Sequence, residues 1–427
     1  MGVVGGSIAG CAMAVAGLRA GADVTVYERS TGALQGRGLG IVIPPALHGQ
    51  LVASGYLGAA MPTAPVGTRV WLTRAPGGRS ARELARQPSP VTPCHWGLLW
   101  QALRTAATGA RYHRGRPVTA VGPAGAGRAA VRTAEGEQTY DLVAGADGHR
   151  SLTRRLLAPG LRPSPAGYAV WRGTLPASAL AGHRRPSELL RGAWVTIGFP
   201  GGHGIFYLIP RGDGAGPDDR LLAYAVYATP PGPGGSPDEA GYVRELADEH
   251  FPEEWSEIVA CGEHTAMTCH PVADLHAPLA ADPPFLLAGD AAGVTRPHTA
   301  SGAVKALQDA LCLERALRTA ASTADALRLY AGERTPEGAR LVELGRRLGR
   351  AQVERTPDWT LMDQGAVDAW CRATLAGASS YLYADPGADL GAASGADWGA
   401  ARTTEPAPAP APAPIQAEVR GPAAGTS

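Results

Sequence analysis

Lysine is nearly absent from this chain: among the 39 basic residues of a 427-residue sequence, Lys305 is the only one. Arginine carries the rest, and with 57 glycines, 37 prolines and only 4 phenylalanines the bias is that of a GC-rich genome rather than of a function. Charge of one sign is missing too. A net charge of +1 gives no footprint for nucleic acid or a membrane surface. No run of about 18 apolar residues occurs, so no membrane span is expected. The six cysteines (Cys11, Cys94, Cys261, Cys269, Cys312 and Cys371) form no CxxC pair, and most read as buried free thiols of a reducing, cytoplasmic compartment. His264, Cys269 and His270 are spaced HxxxxCH with no second ligand pair, so no metal is expected. What the chain has in quantity is apolar residues, 45% of the total, enough to fill a sizeable core in more than one domain.

The apolar start, with Ile8-Ala9-Gly10-Cys11 resembling a lipoprotein box, invites an export signal. No basic residues precede it, the apolar stretch is short and broken by glycine, and the residues after it continue one regular unit, so the signal reading is rejected. That unit is VVGGSIAGCAMAVAGLRAGADVTVYERS: a strand ending at Val4, a turn from Gly5 to Gly10, a helix from Ile8 to Ala20, a stop at Gly21, and a second strand closed by Glu28. The first strand looks cut short at Met1. A turn of this kind aims helix N–H groups and the helix dipole at a pyrophosphate, and an acid ending the next strand bonds a ribose. Ser7 stands in the pattern GxSxxG where a glycine is usual; it is small enough for close backbone approach.

Two further corners follow. In DLVAGADGHRSLTRRLL, residues 141–157, a short apolar strand ends at Gly145-Ala146-Asp147-Gly148 and Ser151 opens a basic helix. In FLLAGDAAGVTRPHTASGAVKALQDAL, residues 285–311, an apolar strand stops at Gly289-Asp290 and passes through small residues into a helix with Ala306, Leu307, Ala310 and Leu311 on one side. The small residues let backbone lie flat on a planar ligand. Lys305 is expected on that helix's surface. Arg37, between two glycines, reads either as reaching a bound pyrophosphate or as a solvated loop arginine, and 96–107 is an amphipathic helix whose Trp and Leu residues read as core. Residues 111–140 read as antiparallel strands around a Gly/Ala loop.

Between 163 and 271 the pattern changes to strands at 168–174, 193–198, 204–210 and 221–228, apolar on both faces, as in a sheet that roofs a pocket. Tyr168, Trp171, Tyr207 and Tyr224 are placed near substrate. Residues 323–352 form a charged helix with Leu341, Leu344 and Leu348 at core spacing, 358–383 a closing helical piece, and the Ala/Pro-rich 386–427 a disordered tail of extended polyproline character.

With these motifs in this order, the chain resembles the class A flavoprotein aromatic hydroxylases of the p-hydroxybenzoate hydroxylase fold. The carriers are VVGGSIAG with YERS, GADGHRS, and GDAAGVTRPHTASGAVKALQDA. YAVWRG at 168–173, FYLIPRGDG at 206–214 and RPHTASG at 296–302 are similar to the 2,6-dihydroxypyridine hydroxylase branch. Gly293 stands where most of the wider family has His, and LLAYAVY at 221–227 where the pyridine branch tends to carry Asn and Trp.

The resemblance implies a mixed α/β fold: a Rossmann-like FAD-binding domain (1–70, 95–163, 271–350) interrupted by a β-sheet substrate domain (71–94, 164–270), with C-terminal helices (351–385). It implies FAD held by Gly5, Gly6, Ser7, Ile8, Ala9, Gly10, Glu28, Arg29, Arg37, Asp147, Gly289, Asp290, Thr299, Ala300, Ser301 and Gly302. NADPH or NADH visits to reduce the flavin and leaves. The substrate is a small aromatic or heteroaromatic ring lined by Tyr168, Trp171, Tyr207, Tyr224 and Pro297, hydroxylated with O2 through a flavin C4a-hydroperoxide by a monomer or homodimer. Because that hydroperoxide decomposes in water, the site must be small and dry. His298, with Tyr207, is the expected catalytic residue, drawing a proton from a ring hydroxyl. An epoxidase or oxidase on the same fold, or a flavin-binding protein without oxygen chemistry, stands as the alternative.

Overall fold

Three short, wholly apolar strands with small residues at their carboxyl ends set the geometry of the molecule. In the computed structural model, which describes residues 1–32, 34, 39–212, 219–230, 232, 238–261, 265–378, 380 and 382, these are Gly2–Val4, Val143–Gly145 and Phe285–Leu287. They lie side by side in a six-stranded sheet ordered Ala281–Asp282, Phe285–Leu287, Val143–Gly145, Gly2–Val4, Thr25–Glu28, Arg111–Arg114. All pairs are parallel except the first. Strands that run as unbroken apolar stretches suit a parallel sheet covered on both faces. The helix Ile8–Arg19, apolar nearly all round and buried from Cys11 to Gly17, packs between that sheet and the helices Trp96–Ala106 and Ser301–Thr319. Arg111–Arg114 is a parallel edge strand here, not part of an antiparallel set; only Ala120–Pro123, Ala129–Thr133 and Gly136–Tyr140 form the expected antiparallel group.

The second sheet has nine strands, ordered Gly293–Val294, Thr265–His276, Ser164–Pro176, Arg220–Ala228, Gly202–Pro210, Ala193–Phe199, Val66–Arg74, Ala81–His95, Gly40–Ile43. It draws strands from upstream of residue 71: Gly40–Ile43 and Val66–Arg74 belong to this sheet and not to the parallel one. Alternation sorts its side chains into two cores. Trp171, Phe206, Leu208, Leu222, Tyr224 and Val226 pack on one face with the helices Glu239–His250 and Glu253–Ala260. Tyr168, Val170, Ala225 and Tyr227, with Ile205 and Tyr207, lie on the other.

A 27-residue helix, Thr323–Gly349, runs into a π-helical turn, Arg350–Glu354, and the helix Gln364–Leu375 closes the chain against the sheet. Trp359 stacks on Trp71 with ring centroids 5.7 Å apart. Cys11, Cys94, Cys312 and Cys371 are buried free thiols. Among the described residues no helix is long and apolar enough to cross a membrane. Arg37, His264 and the tail 386–427 lie outside the described residues.

Candidate active site

The first corner is built by glycine. Gly5 has φ +100°, a conformation that costs other residues strain, and a Cβ there would sit 2.4 Å from the Ala146 carbonyl oxygen. At Gly10 a Cβ would come within 1.8 Å of the Gly5 carbonyl oxygen, backbone that cannot yield, so the helix can approach the turn only as glycine. Gly10→Ala is therefore expected to abolish binding of any dinucleotide at this turn, read by equilibrium dialysis of the purified variant. Glu28, 7% exposed, accepts from Gly6 N at 2.8 Å and Ser30 N at 2.7 Å, which fixes its carboxylate against the turn. The Gly6 carbonyl in turn accepts from Trp100 Nε1 (2.9 Å) and the Tyr112 hydroxyl (3.0 Å). Ser7 stands at the N-cap of the helix without a side-chain cap bond, Ile8 is buried and Ala9 half-buried, and Arg29 is exposed at the strand's end.

The other two corners stand beside the first. Ala146 N donates to Val4 O at 2.8 Å, and Ala288 N to Gly145 O at 2.9 Å, so the turns at 5–10, 145–148 and 289–290 line up across the carboxyl ends of three neighbouring strands. Asp147 uses Oδ2 to accept Leu152 N at 2.6 Å, while its buried Oδ1 has no partner among the described residues. Arg154, 5% exposed, is a residue the sequence reading left unassigned. It donates to the carbonyls of Asp290 (3.1 Å) and Ala291 (3.0 Å), tying the second corner to the third.

At the third corner Gly289 has φ +58° and its N–H donates to Asp309 Oδ2 at 2.8 Å. Lys305 is not on the helix surface, as the sequence suggested, but 5% exposed, with Nζ 2.5 Å from Asp290 Oδ1. The reason is that its helix leans on the turn, so the face carrying Lys305 and Asp309 is covered. The loop then rises through Pro297, and Ala300 takes φ +47° at the head of the helix Ser301–Thr319. Thr299 and Ser301 bridge hydroxyls at 2.6 Å, and Gly302 is exposed. Ala300, Val42, Ile205 and Tyr207 are all partly buried residues packed on the core of Trp71, Trp194 and Trp359, which brings the loop beside the inner face of the nine-stranded sheet. A glycine cradle, an orphaned buried Asp147 oxygen and a half-exposed Asp290 carboxylate, aligned on adjacent strands, fit a dinucleotide with a polyol chain.

The four aromatics placed near substrate separate. Tyr207 is half-buried on the inner face, and burial pushes its hydroxyl pKa up, with Arg172 pulling the other way, so it is a neutral donor. Trp171 and Tyr224 face the opposite way: Trp171 is fully buried against Tyr242, ring centroids 5.0 Å apart, and Tyr224 is 2% exposed in the same core. Successive strand residues alternate, so Trp171 cannot share a face with Tyr168. The inner-face neighbour is Arg172, paired in register with Ala225 and Thr268, whose buried Nε has no partner among the described residues.

His298 also departs from expectation. It is 2% exposed, with Nε2 2.7 Å from the Tyr168 hydroxyl, and it packs against Tyr227 (centroids 4.6 Å) and His203 (5.3 Å). Tyr168 is 3% exposed in the same cluster, its hydroxyl pushed up to about 12 by burial against the pull of Arg296. Burial, the His203 ring and Arg296 hold the His298 pKa well below that of a free imidazole. This is a closed cluster under the π-helical turn rather than an open substrate wall, and it removes the basis for His298 as the catalytic base. The rings of Tyr168 and His298 carry the loop 296–300 on the sheet instead. Cys269 and His270 are consecutive on one strand and so point to opposite faces.

Comparison with known proteins agrees with this geometry. The family described as FAD binding domain matches residues 1–344. The chain is 29% identical over 379 residues to 3-amino-4-hydroxybenzoate 2-monooxygenase of Streptomyces cremeus, covering 85% of this chain and 90% of that protein. It is 28% identical to 2,6-dihydroxypyridine 3-monooxygenase of Paenarthrobacter nicotinovorans, covering 73% and 81%. Among solved structures, 2,6-dihydroxypyridine-3-hydroxylase from Arthrobacter nicotinovorans superposes with a TM-score of 0.73 at 24% identity, covering 83% of this chain and 93% of the other.

Proposed function

Since the chain belongs to the FAD binding domain family, we propose that it is a FAD-dependent monooxygenase that hydroxylates a small aromatic or heteroaromatic ring, with NADH or NADPH as electron donor and O2 as oxidant. The observation that carries this reading is the alignment of three glycine-and-acid corners on adjacent parallel strands. The relatives named above act on hydroxylated rings, which supports the substrate class.

In this reading the parallel sheet holds the cofactor and the nine-stranded sheet the substrate. Bound FAD supplies electron transfer from the nicotinamide to oxygen and delivery of one oxygen atom to the ring. The protein supplies the rest. Gly5 to Gly10 and the head of the helix Ile8–Arg19 take the pyrophosphate, Glu28 the adenosine ribose, and Asp290 the ribityl hydroxyls. The N–H groups of Thr299, Ala300 and Ser301 bond within the loop, to Arg296 O, Pro297 O and Thr299 Oγ1, and so shape the backbone that meets the ring edge at the positive end of the helix Ser301–Thr319. Val42, Ile205 and Ala300 exclude water. Tyr207 donates a hydrogen bond to a ring oxygen, and Arg172 faces the same space with a fixed positive charge that favours the ionised, electron-rich form of a ring hydroxyl.

The test begins with the purified protein's visible spectrum, then screens phenols, aminohydroxybenzoates and hydroxypyridines for stimulated NAD(P)H oxidation and a product heavier by one oxygen. Tyr207→Phe is expected to cut product formed per NAD(P)H consumed at unchanged flavin content. His298→Ala is expected to lower melting temperature more than that ratio. A colourless protein that takes up no FAD, or flavin reduction that no ring compound stimulates, overturns the assignment.

A further inference from the structure

The sole lysine is the feature that the proposed chemistry leaves unused. A composition that writes every other basic residue as arginine keeps lysine at one position, and that position is buried behind the Gly289-Asp290 turn. The Lys305 side chain is 7% exposed while the Asp290 side chain is 47% exposed, so the ammonium lies on the inner side of the pair and the outer side of the carboxylate stays open. Lys305 and Asp309 are one helical turn apart on the same helix face, and they divide the turn between them: Asp309 takes the Gly289 N–H at 2.8 Å and Lys305 takes the Asp290 carboxylate at 2.5 Å. A cavity of about 20 Å³, room for one water, adjoins them, lined by His276, Thr295, Lys305, Asp309, Arg334 and Thr335. An arginine fork needs more width than this, whereas a compact ammonium on a flexible stem does not.

From this arrangement we propose that Lys305 is a positioning residue for the cofactor: it holds the Asp290 carboxylate in the one orientation that offers its outer oxygen to the ribityl hydroxyls. The proposal rests on the FAD reading above. Because Asp290 is half-exposed, removing Lys305 leaves no buried orphan charge, so the loss falls on binding more than on folding.

The experiment compares the flavin-stripped wild type with Lys305→Met by titration with FAD, followed through quenching of flavin fluorescence, and separately with ADP. Lys305→Met is expected to bind FAD roughly 10- to 100-fold more weakly, the range for loss of one charge-assisted contact. Its affinity for ADP is expected to be unchanged, since ADP has no ribityl chain to meet Asp290. Equal FAD affinity in wild type and variant overturns the proposal, and so does a parallel loss for FAD and ADP, which would mark a role in the fold alone. Should Lys305→Met fail to fold, Lys305→Leu, which is likewise neutral and without a donor, carries the same comparison. A wild type that binds ADP but not FAD sinks the flavin reading itself, an outcome distinct from either.

Discussion

Asp309→Ala is expected to lower folding stability by about 3–5 kcal/mol, the cost of breaking a buried ion pair from one side. Asp309 is 4% exposed and its Oδ1 accepts from Arg334 Nε at 2.6 Å, a guanidinium whose side chain is itself 8% exposed. Removing the carboxylate leaves that charge in the interior with Gln308 as its remaining neutral contact. It also orphans the Gly289 N–H, held at φ +58° by this bond. Both losses add to the same side. Asp309→Asn keeps one oxygen, enough for Gly289 N or for Arg334 but not for both, so it should recover only part of the loss. Urea unfolding with unchanged m-value and a lowered midpoint would report the loss. A midpoint within error of wild type would mean that the turn is not anchored through the helix, and the role of Lys305 one turn earlier would lose its frame.

The corner turns were legible because everything that makes them is local. Strand, glycine turn, helix and closing Glu28 occupy fewer than thirty consecutive residues, and the glycines are needed for contacts within that span, such as Gly10 against Gly5. The inner face of the second sheet was not legible. Both faces of its strands are apolar, so alternation could say that Tyr168 and Trp171 part company but not which of them meets the loop 296–300. The answer comes from the helices Glu239–His250 and Glu253–Ala260, which cover the Trp171 side from far along the chain. The same limit hid Arg172, an ordinary strand arginine until its register opposite Ala225 puts it indoors. Lys305 shows a third kind of limit. Its spacing to Asp309 is readable on any helix, yet its burial depends on a turn that folds back over that face. For His298, a short loop motif was expected to meet the substrate, and the π-helical turn Arg350–Glu354, more than fifty residues later, closes over it instead.

That closed cluster sets the molecule's response to acid. His203 is fully buried, stacked on Tyr227 with centroids 4.5 Å apart, and burial together with Arg69 brings its pKa down to about 3. His298 is held well below its ordinary value mainly by burial. In the unfolded chain both imidazoles take protons near pH 6.5. Above that pH neither state is protonated and stability is at its full value. Below it only the unfolded chain gains protons, so each histidine removes about 1.4 kcal/mol of stability per pH unit until the folded pKa is reached. For the pair, a fall from pH 7.5 to pH 5 is expected to cost roughly 4 kcal/mol, a large part of the 5–15 kcal/mol that holds an ordinary domain together. The window stays above the carboxylate range, where Asp and Glu would add their own term. Urea midpoints taken at half-unit steps across it should fall steadily, and in His203→Gln, which keeps an amide at the Gln352 carbonyl but cannot titrate, the decline should be less steep, the remainder coming from His298 and from His48, His95, His250, His270 and His276, which burial also holds below the ordinary value. A midpoint that is flat with pH, or a variant that declines as fast as wild type, would show that protons reach these rings in the folded state and that the cluster beneath the loop 296–300 is open.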